Sequence, residues 1–250
     1  MEKAIGVIGG VGPYAGIDLV KKIFDNTIAT CDQDHLDLYL TNLPRLIEDR
    51  TEFLLHGGEN PAHGLFASFR KLALMGASVV AIPCNTAHAS PIFTAVAEEA
   101  AAAFPQVKLL NMIEETCRYI VEQFPAGTTI GLLATQGTHT IGIYRQYLAR
   151  YPQMHLIEPD QAGQHRVHES IYHKAYGIKA VSPVSERACR IVKEEGEALV
   201  KRGARALILG CTELPLALSE ADSTVCLIDP TRELARSAIR CVAPEKLRER

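Results

Sequence analysis

Two apolar runs of this 250-residue chain share one layout, and each ends in a cysteine. Residues 76–84 read Gly-Ala-Ser-Val-Val-Ala-Ile-Pro-Cys, and residues 203–211 read Gly-Ala-Arg-Ala-Leu-Ile-Leu-Gly-Cys. In both, the cysteine follows the first glycine by eight positions (84 − 76 and 211 − 203). Such runs, bounded by glycine and a polar cluster, are typical of buried parallel strands. The pattern predicts two equivalent strands with Cys84 and Cys211 at their carboxyl ends, where open α/β sheets bind ligands.

A second pair of segments repeats at nearly the same offset. Residues 5–13, Ile-Gly-Val-Ile-Gly-Gly-Val-Gly-Pro, parallel residues 130–138, Ile-Gly-Leu-Leu-Ala-Thr-Gln-Gly-Thr. The offsets are 125 residues here (130 − 5) and 127 residues at the cysteines (211 − 84). Two anchors at nearly one offset predict two similar lobes. We assign residues 1–108 and 225–250 to the first lobe and 109–224 to the second, with the active site in the cleft between them.

Strand-like and helix-like stretches alternate along the chain, which indicates βαβ units and a mainly parallel sheet. The strand candidates are 4–9, 36–43, 78–84, 107–112, 129–134, 155–158, 206–211 and 225–228. The helix candidates are 17–29, 61–75, 91–104, 114–124, 141–151 and 184–201. Eight strands also allow a barrel, but the duplication favours two sheets. The predicted fold is α/β: two pseudo-symmetric lobes, each with a mainly parallel sheet flanked by helices.

Charge and cysteine usage narrow the possible partners and location. The net charge is −3 with no basic stretch, which argues against nucleic-acid binding. No apolar segment approaches the ~20 residues of a membrane span. The first strand pattern begins at Ala4 and leaves no room for a signal peptide. Seven cysteines without dense spacing indicate reduced thiols, so we expect a cytoplasmic protein.

Polar residues follow each cysteine, where the chain is expected to turn into a helix. The two motifs are Cys84-Asn85-Thr86-Ala87 and Cys211-Thr212-Glu213. Unsatisfied N–H groups at such a turn can hold a substrate carboxylate, and the same environment lowers a thiol pKa from ~8.5 toward neutrality. The alternative is a pair of buried structural cysteines, since free cysteine is often buried.

The turn Gly9-Gly10-Val11-Gly12-Pro13 formally fits a dinucleotide-binding pattern when Ala15 is included. Pro13, however, removes a backbone donor from the loop, and no G-K-[ST] follows. We therefore favour a turn that brings the backbone of Gly10 and Gly12 close to a small anion. The equivalent loop, Thr135 to Thr138, offers hydroxyl and N–H groups for a carboxylate, or forms an ordinary capped turn.

Other candidate groups are weaker. Arg50 and Lys179 lie in predicted loops, where cationic ligand contacts are common, although most arginines and lysines are only solvated. His165, His168 and His173 match no zinc motif, so a solvated helix face is the better interpretation. No G-x-S-x-G elbow is present, which disfavours a serine hydrolase of the α/β type.

The chain resembles the cofactor-independent aspartate/glutamate racemases, and within them the aspartate racemases most closely. The resemblance runs nearly end to end and is most specific at the two cysteine motifs. It rests on residues 5–13, 49–51, 83–89, 112–116, 131–135, 210–213 and 227–230. One departure is Val11, where aspartate racemases often carry methionine.

The resemblance implies a homodimer without pyridoxal phosphate, metal or nucleotide, and assigns catalysis to Cys84 and Cys211. By similarity, Arg50 binds the side-chain carboxylate of the substrate. The family's substrate lysine maps to Lys179, with Lys174 as the fallback. The groups implied for the α-carboxylate and ammonium are Asn85, Thr86, Thr135, Thr138 and Thr212. Gly10, Gly12, Ala87 and Glu213 complete the predicted substrate-binding set.

The hypothesis from these residues is a two-base racemisation of aspartate, glutamate or both, with one cysteine as base and the other as acid. Three alternatives stay open. One is another isomerase of this fold, such as a maleate isomerase, in which a cysteine attacks a double bond. The second is a redox protein with a Cys84–Cys211 disulfide. The third is a protein that binds small carboxylates without chemistry.

Overall fold

The computed structural model describes residues 3–249, and the chain divides into two compact units. Unit 1 comprises Met1–Glu115 and Thr231–Arg250, and unit 2 comprises Thr116–Pro230. Each unit contains one four-stranded sheet in which all the paired strands are parallel.

Unit 1 has the strand order β2-β1-β3-β4. Its strands are β1 (Ala4–Gly9), β2 (Leu38–Asn42), β3 (Ala77–Ala81) and β4 (Lys108–Leu109). Between and after these strands, in chain order, lie the helices α1 (Pro13–Asp25), α2 (Arg50–His56), α3 (Ala62–Leu74), α4 (Ser90–Ala103) and α5 (Met112–Gln123). Helix α5 crosses the boundary into unit 2.

Unit 2 has the corresponding order β6-β5-β7-β8. Its strands are β5 (Thr129–Ala134), β6 (His155–Ile157), β7 (Ala206–Gly210) and β8 (Cys226–Ile228). Its helices are α6 (Gln136–Ile141), α7 (Ile143–Leu148), α8 (Gln161–Tyr172) and α9 (Glu186–Lys201), and α10 (Pro230–Val242) then continues into unit 1. Two parallel sheets of matching order, flanked by helices, confirm the predicted α/β fold.

Helices cover both faces of the central strands, which explains their uninterrupted apolar runs. In unit 1, Ile5 and Val7 pack in one cluster with Leu19 of α1 and Leu234 of α10. Ile8 points to the opposite face and packs in the cluster that contains Phe69 of α3. Successive strand residues thus contribute to two cores, because side chains alternate across a sheet.

The element boundaries differ from those read from the sequence. Strand β3 ends at Ala81, three residues before Cys84, whereas Cys211 directly follows β7. Pro83 lacks the N–H that would extend the ladder to Cys84. Helices α2, α8 and α10 lie outside the helix candidates read from the sequence.

The unit boundaries also differ from the predicted lobe boundaries. Strand β8 pairs with β7, so residues 226–228 extend the second sheet rather than the first. The chain returns to unit 1 at Thr231, six residues later than the sequence suggested. The predicted cleft between the lobes stays a prediction. Among the described residues, no helix is long and apolar enough to cross a membrane.

Candidate active site

Unit 1 gathers several predicted site residues at one edge of its sheet. Gly10 and Gly12 lie in the loop after β1, and Cys84 lies in the loop after β3. Arg50 begins helix α2, which follows the loop after β2. Because the three strands are parallel neighbours, their carboxyl ends lie at the same edge. The sequence prediction that these positions follow strand ends is therefore met within this unit.

The turn after β1 depends on its glycines. Gly10 has φ +89°, and a Cβ there would lie 2.9 Å from the backbone of Leu43 and Pro44. Gly12 has φ +98° and precedes α1, whose first residue is Pro13. Only glycine combines positive φ with such a close backbone approach. The turn thus brings main chain, not side chains, to the carboxyl edge.

Cys84 is a reduced thiol that is only 7 % exposed. Its Sγ lies 3.5 Å from the Oγ1 of Thr86. Asn85 beside it is also buried, whereas the methyl group of Ala87 belongs to the apolar core. Ala87 therefore has only its main chain to offer to a ligand.

His88 stabilises the Cys84 loop through a hydrogen bond to its main chain, a contact that the sequence analysis does not predict. Its Nδ1 lies 2.8 Å from the carbonyl oxygen of Cys84. Burial lowers the pKa of His88 to about 4, so the ring is neutral at pH 7. Because a carbonyl only accepts hydrogen bonds, the neutral ring carries its proton on Nδ1 and donates it to Cys84. In the sequence, the indication of this contact is that His88 follows Cys84 by four positions.

Arg50 is the first residue of α2 rather than part of a loop. Asp49 caps this helix, since its carboxylate accepts from the N–H groups of Thr51 (2.8 Å) and Glu52 (2.9 Å). The Arg50 guanidinium donates to the carbonyl oxygen of Glu48 at 3.2 Å. The cap and this hydrogen bond fix the half-buried arginine near the end of the loop that follows β2.

The loop after β5 in unit 2 is a capped helix start. Thr135 caps α6 by accepting from the Thr138 N–H at 3.3 Å, and the two hydroxyl oxygens lie 3.1 Å apart. Both threonines are buried. The capped-turn interpretation is therefore correct.

The second cysteine lies in a charged cluster that the sequence did not reveal. Cys211 is reduced and 8 % exposed. Its thiol donates to Oε2 of Glu213 at 2.9 Å, and the hydroxyl of Thr212 donates to the same oxygen at 3.1 Å. The Nζ of Lys179 donates to Oε1 of Glu213. One buried carboxylate thus receives three donors.

Lys179 reaches Glu213 from the segment after α8. Its backbone N–H bonds to the carbonyl of Ile171 (3.1 Å), and its Nζ lies 5.5 Å from the centroid of the Tyr172 ring. The Lys179 side chain is 29 % exposed, so it borders both Glu213 and solvent. Lys174, the fallback, is exposed.

The charges in this cluster set the protonation of its members. Burial and the neighbouring Glu213 carboxylate raise the pKa of Cys211, against an opposing effect of Lys179. Burial also acts to raise the pKa of Glu213, but the Lys179 charge and the three hydrogen bonds outweigh it and lower that pKa. At neutral pH the cluster therefore holds a carboxylate, an ammonium group and a thiol.

Residues 3–249 contain no cluster of three or more His, Cys, Asp or Glu that could hold a metal ion. His165 and His168 lie on α8, and His173 follows its last residue. The rings of His168 and His173 pack against Tyr172 and Tyr176, at centroid distances of 4.9 and 4.0 Å. His165 and His168 thus lie on a partly exposed face of α8, whereas His173 lies just beyond its end.

Comparisons with known proteins agree with this architecture. The model of the Asp/Glu/hydantoin racemase family matches residues 8–238. An aspartate racemase from Picrophilus torridus is 29 % identical, with a TM-score of 0.80 over 96 % of this chain and 94 % of that one.

Two sequence relatives have racemase names. A broad specificity amino-acid racemase from Bacillus subtilis, RacX, is 22 % identical over 94 % of this chain and 96 % of its own length. A glutamate racemase from Limosilactobacillus fermentum is 30 % identical over 69 % of this chain and 63 % of its own. Together with the match over 8–238, these similarities show that the chain belongs to the Asp/Glu/hydantoin racemase family, and we class it as a racemase.

Proposed function

We propose that this chain is a cofactor-independent aspartate racemase in which Cys84 and Cys211 exchange the α-proton of the substrate. The observation that carries the proposal is the repeated thiol. In two sheets of matching order, a reduced and nearly buried cysteine follows the equivalent strand, β3 or β7. Racemisation needs a base on one face of the α-carbon and an acid on the other, and two thiols supply both.

The chemical step demands strong stabilisation of the planar carbanion. Without an electron-withdrawing cofactor, this falls to hydrogen-bond donors aimed at the α-carboxylate as it gains charge. The proposal assigns this role to five residues near the strand ends. They are Asn85, Thr86, Thr135, Thr138 and the main chain of Thr212, whose hydroxyl already donates to Glu213. The backbone of the Gly10–Gly12 turn adds donors without side-chain bulk.

Two cations complete the proposed site for a dicarboxylic amino acid. Arg50 binds the side-chain carboxylate, supported by its fixed position at the start of α2. Lys179, in unit 2, is the second proposed cation, and its side chain is partly exposed. Aspartate is proposed over glutamate because the Picrophilus torridus relative is an aspartate racemase. The proposal also includes a homodimer, a cytoplasmic location and no cofactor.

The test is proton NMR of L-aspartate and, separately, L-glutamate in deuterium oxide with purified enzyme and no added cofactor. We expect loss of the α-proton signal and appearance of D-aspartate on a chiral column. Because general acid–base groups contribute about 10²–10⁴-fold, Cys84→Ser and Cys211→Ser should each lower kcat by that factor. Cys241→Ser and Cys189→Ser, which remove a thiol from each unit outside the motifs, should retain activity.

Three results would overturn parts of the proposal. Full activity in Cys84→Ser excludes the two-base scheme. No exchange with either amino acid excludes an acidic amino-acid substrate. Conversion of maleate instead identifies the isomerase alternative.

A further inference from the structure

Glu213, predicted from the sequence as a substrate contact, bonds to three side chains of the protein. It is 7 % exposed, and its two carboxylate oxygens accept from Cys211, Thr212 and Lys179. Lys179 keeps this carboxylate ionised at neutral pH. A dicarboxylic amino acid carries two carboxylates and one ammonium group, so its net charge has the same sign as the charge of Glu213. Its contacts instead direct it toward the thiol of Cys211.

We propose that Glu213 is a positioning residue that keeps Cys211 protonated in the resting enzyme, so that Cys211 begins the reaction as the acid and Cys84 as the base. The inference rests on the proposed two-base racemisation. Its structural basis is the S–H to Oε2 hydrogen bond of 2.9 Å. A thiolate at the same place would face the carboxylate as a like charge and would lose that bond.

The thiol of Cys84, in unit 1, lacks this partner. The Cys84 Sγ meets the hydroxyl of Thr86, and within residues 3–249 no carboxylate is hydrogen-bonded to it. A hydroxyl can donate to a thiolate as readily as it accepts from a thiol. The two thiols are almost equally exposed, so the difference between them is chemical rather than steric.

The proton balance of one turnover follows from this arrangement. The Cys84 thiolate takes the α-proton and becomes a thiol, while Cys211 gives its proton to the opposite face of the carbanion and becomes a thiolate. Cys211 then faces the Glu213 carboxylate as an anion. Exchange with water after product release restores its proton and removes that of Cys84.

Two charged side chains act on the protonation of Cys211, and two tyrosines lie near these groups. Glu213, two residues along, favours the thiol, and Lys179, from the segment after α8, favours the thiolate. Tyr172 at the end of α8 lies beside Lys179. Tyr144 of α7 is fully buried, and burial raises its pKa, so it stays neutral. Glu213 and Lys179 are thus the opposing charges to vary.

The experiment measures the rate of iodoacetamide alkylation at each cysteine by peptide mass spectrometry, without substrate, from pH 6 to 10. In the unmodified enzyme, Cys84 should react at lower pH than Cys211. Glu213→Gln should speed Cys211 alkylation at pH 7.5 by about tenfold or more, which corresponds to one pKa unit. Lys179→Met should slow it, because the opposing cation is removed.

The control is Glu197→Gln, which makes the same change of charge on the exposed face of α9 in the same unit. It should leave both alkylation rates unchanged. Acceleration by both Glu213→Gln and Lys179→Met would mean that either change merely opens the site, and would overturn the proposal. The proposal would also be overturned if Glu213→Gln left the Cys211 alkylation rate unchanged or lowered it. The same holds if Cys211 were alkylated at lower pH than Cys84.

This readout is independent of the proposed activity, because alkylation needs no turnover. If the unmodified enzyme exchanges no α-proton but the alkylation rates shift as expected, the racemase proposal fails and the Glu213 effect stands. If the enzyme racemises aspartate but the rates do not shift, Glu213 is not the residue that assigns the acid.

Discussion

The two cysteine motifs have the same position after a strand but different chemistry two residues later. After Cys84 the second residue is Thr86, a neutral hydroxyl 3.5 Å from the sulfur. After Cys211 it is Glu213, a carboxylate 2.9 Å from the sulfur and paired with Lys179. A duplicated fold thus supports two unequal thiols. Matching topology places each sulfur after the equivalent strand of its unit. The proposed acid role of Cys211 depends on the residue two positions later, which is Glu213 in one motif and Thr86 in the other.

The units also stabilise their loops differently. In unit 1, the neutral ring of His88 donates to the Cys84 carbonyl, and glycines shape the preceding turn. In unit 2, an ion pair anchors the cysteine loop, and Thr135 caps the helix that follows β5. Acid is therefore expected to destabilise the first arrangement once the pH falls below the ordinary pKa of a histidine side chain. It should destabilise the second only below the ordinary pKa of a carboxyl group.

The largest effect on activity is expected from replacing Thr86, the residue that distinguishes the Cys84 motif from the Cys211 motif. Thr86→Glu places a carboxylate beside Cys84, which disfavours the thiolate needed as base, and we expect kcat/KM to fall by about 100-fold relative to Thr86→Gln. The Gln variant has the same size without the charge, so the ratio isolates electrostatics. Racemisation assays and Cys84 alkylation rates provide the measurement. Equal activities of the two variants would contradict the comparison.

The second largest effect is expected in the pH dependence of stability, where His88 of unit 1 should contribute a loss as the pH falls. The unfolded chain protonates His88 near its ordinary pKa of 6.5, whereas the folded chain resists until about pH 4. The unfolded state therefore binds more protons in this window, and stability falls as the pH drops through it. Between pH 7.5 and pH 5.0, the loss from this residue should be about 2 kcal/mol.

The matched variant is His88→Asn, whose amide can donate near the position of Nδ1 but does not titrate. Urea unfolding at both pH values should show a smaller pH loss in the variant by that amount. An identical loss would mean that His88 is not the group responsible. Glu213 adds no loss in this range, since its pKa is lowered and its contribution disappears only below its ordinary value of 4.5.

The smallest effect is expected at the cap of α6. Thr135→Ala removes the oxygen that accepts from the Thr138 N–H, and loss of an N-cap costs about 1 kcal/mol of unfolding free energy. Thr135→Ser keeps the oxygen and should lose much less. Urea unfolding of both variants at pH 7.5 measures the difference. A loss as large in Thr135→Ser would locate the contribution in the methyl group instead.

Sequence patterns predicted much of this molecule because the deciding interactions are local or repeated. The runs from 4–9 and 129–134 coincide with β1 and β5, since buried parallel strands leave continuous apolar segments. Helix α10 was missed although Leu234, Ala235, Ala238 and Ile239 have helical spacing. Arg50 was placed in a loop because the capping role of Asp49 was not recognised.

By itself, the sequence determined the α/β class, the duplication, the two cysteines at strand ends and the family, because each follows from periodicity or from a contiguous motif. Only the tertiary structure decided that Lys179 contacts Glu213, that β8 joins the second sheet and that His88 holds the Cys84 carbonyl. Lys179 and Glu213 are 34 residues apart in the chain. Their contact depends on how the segment after α8 packs, and hydrophobic periodicity does not encode which buried charge receives which donor.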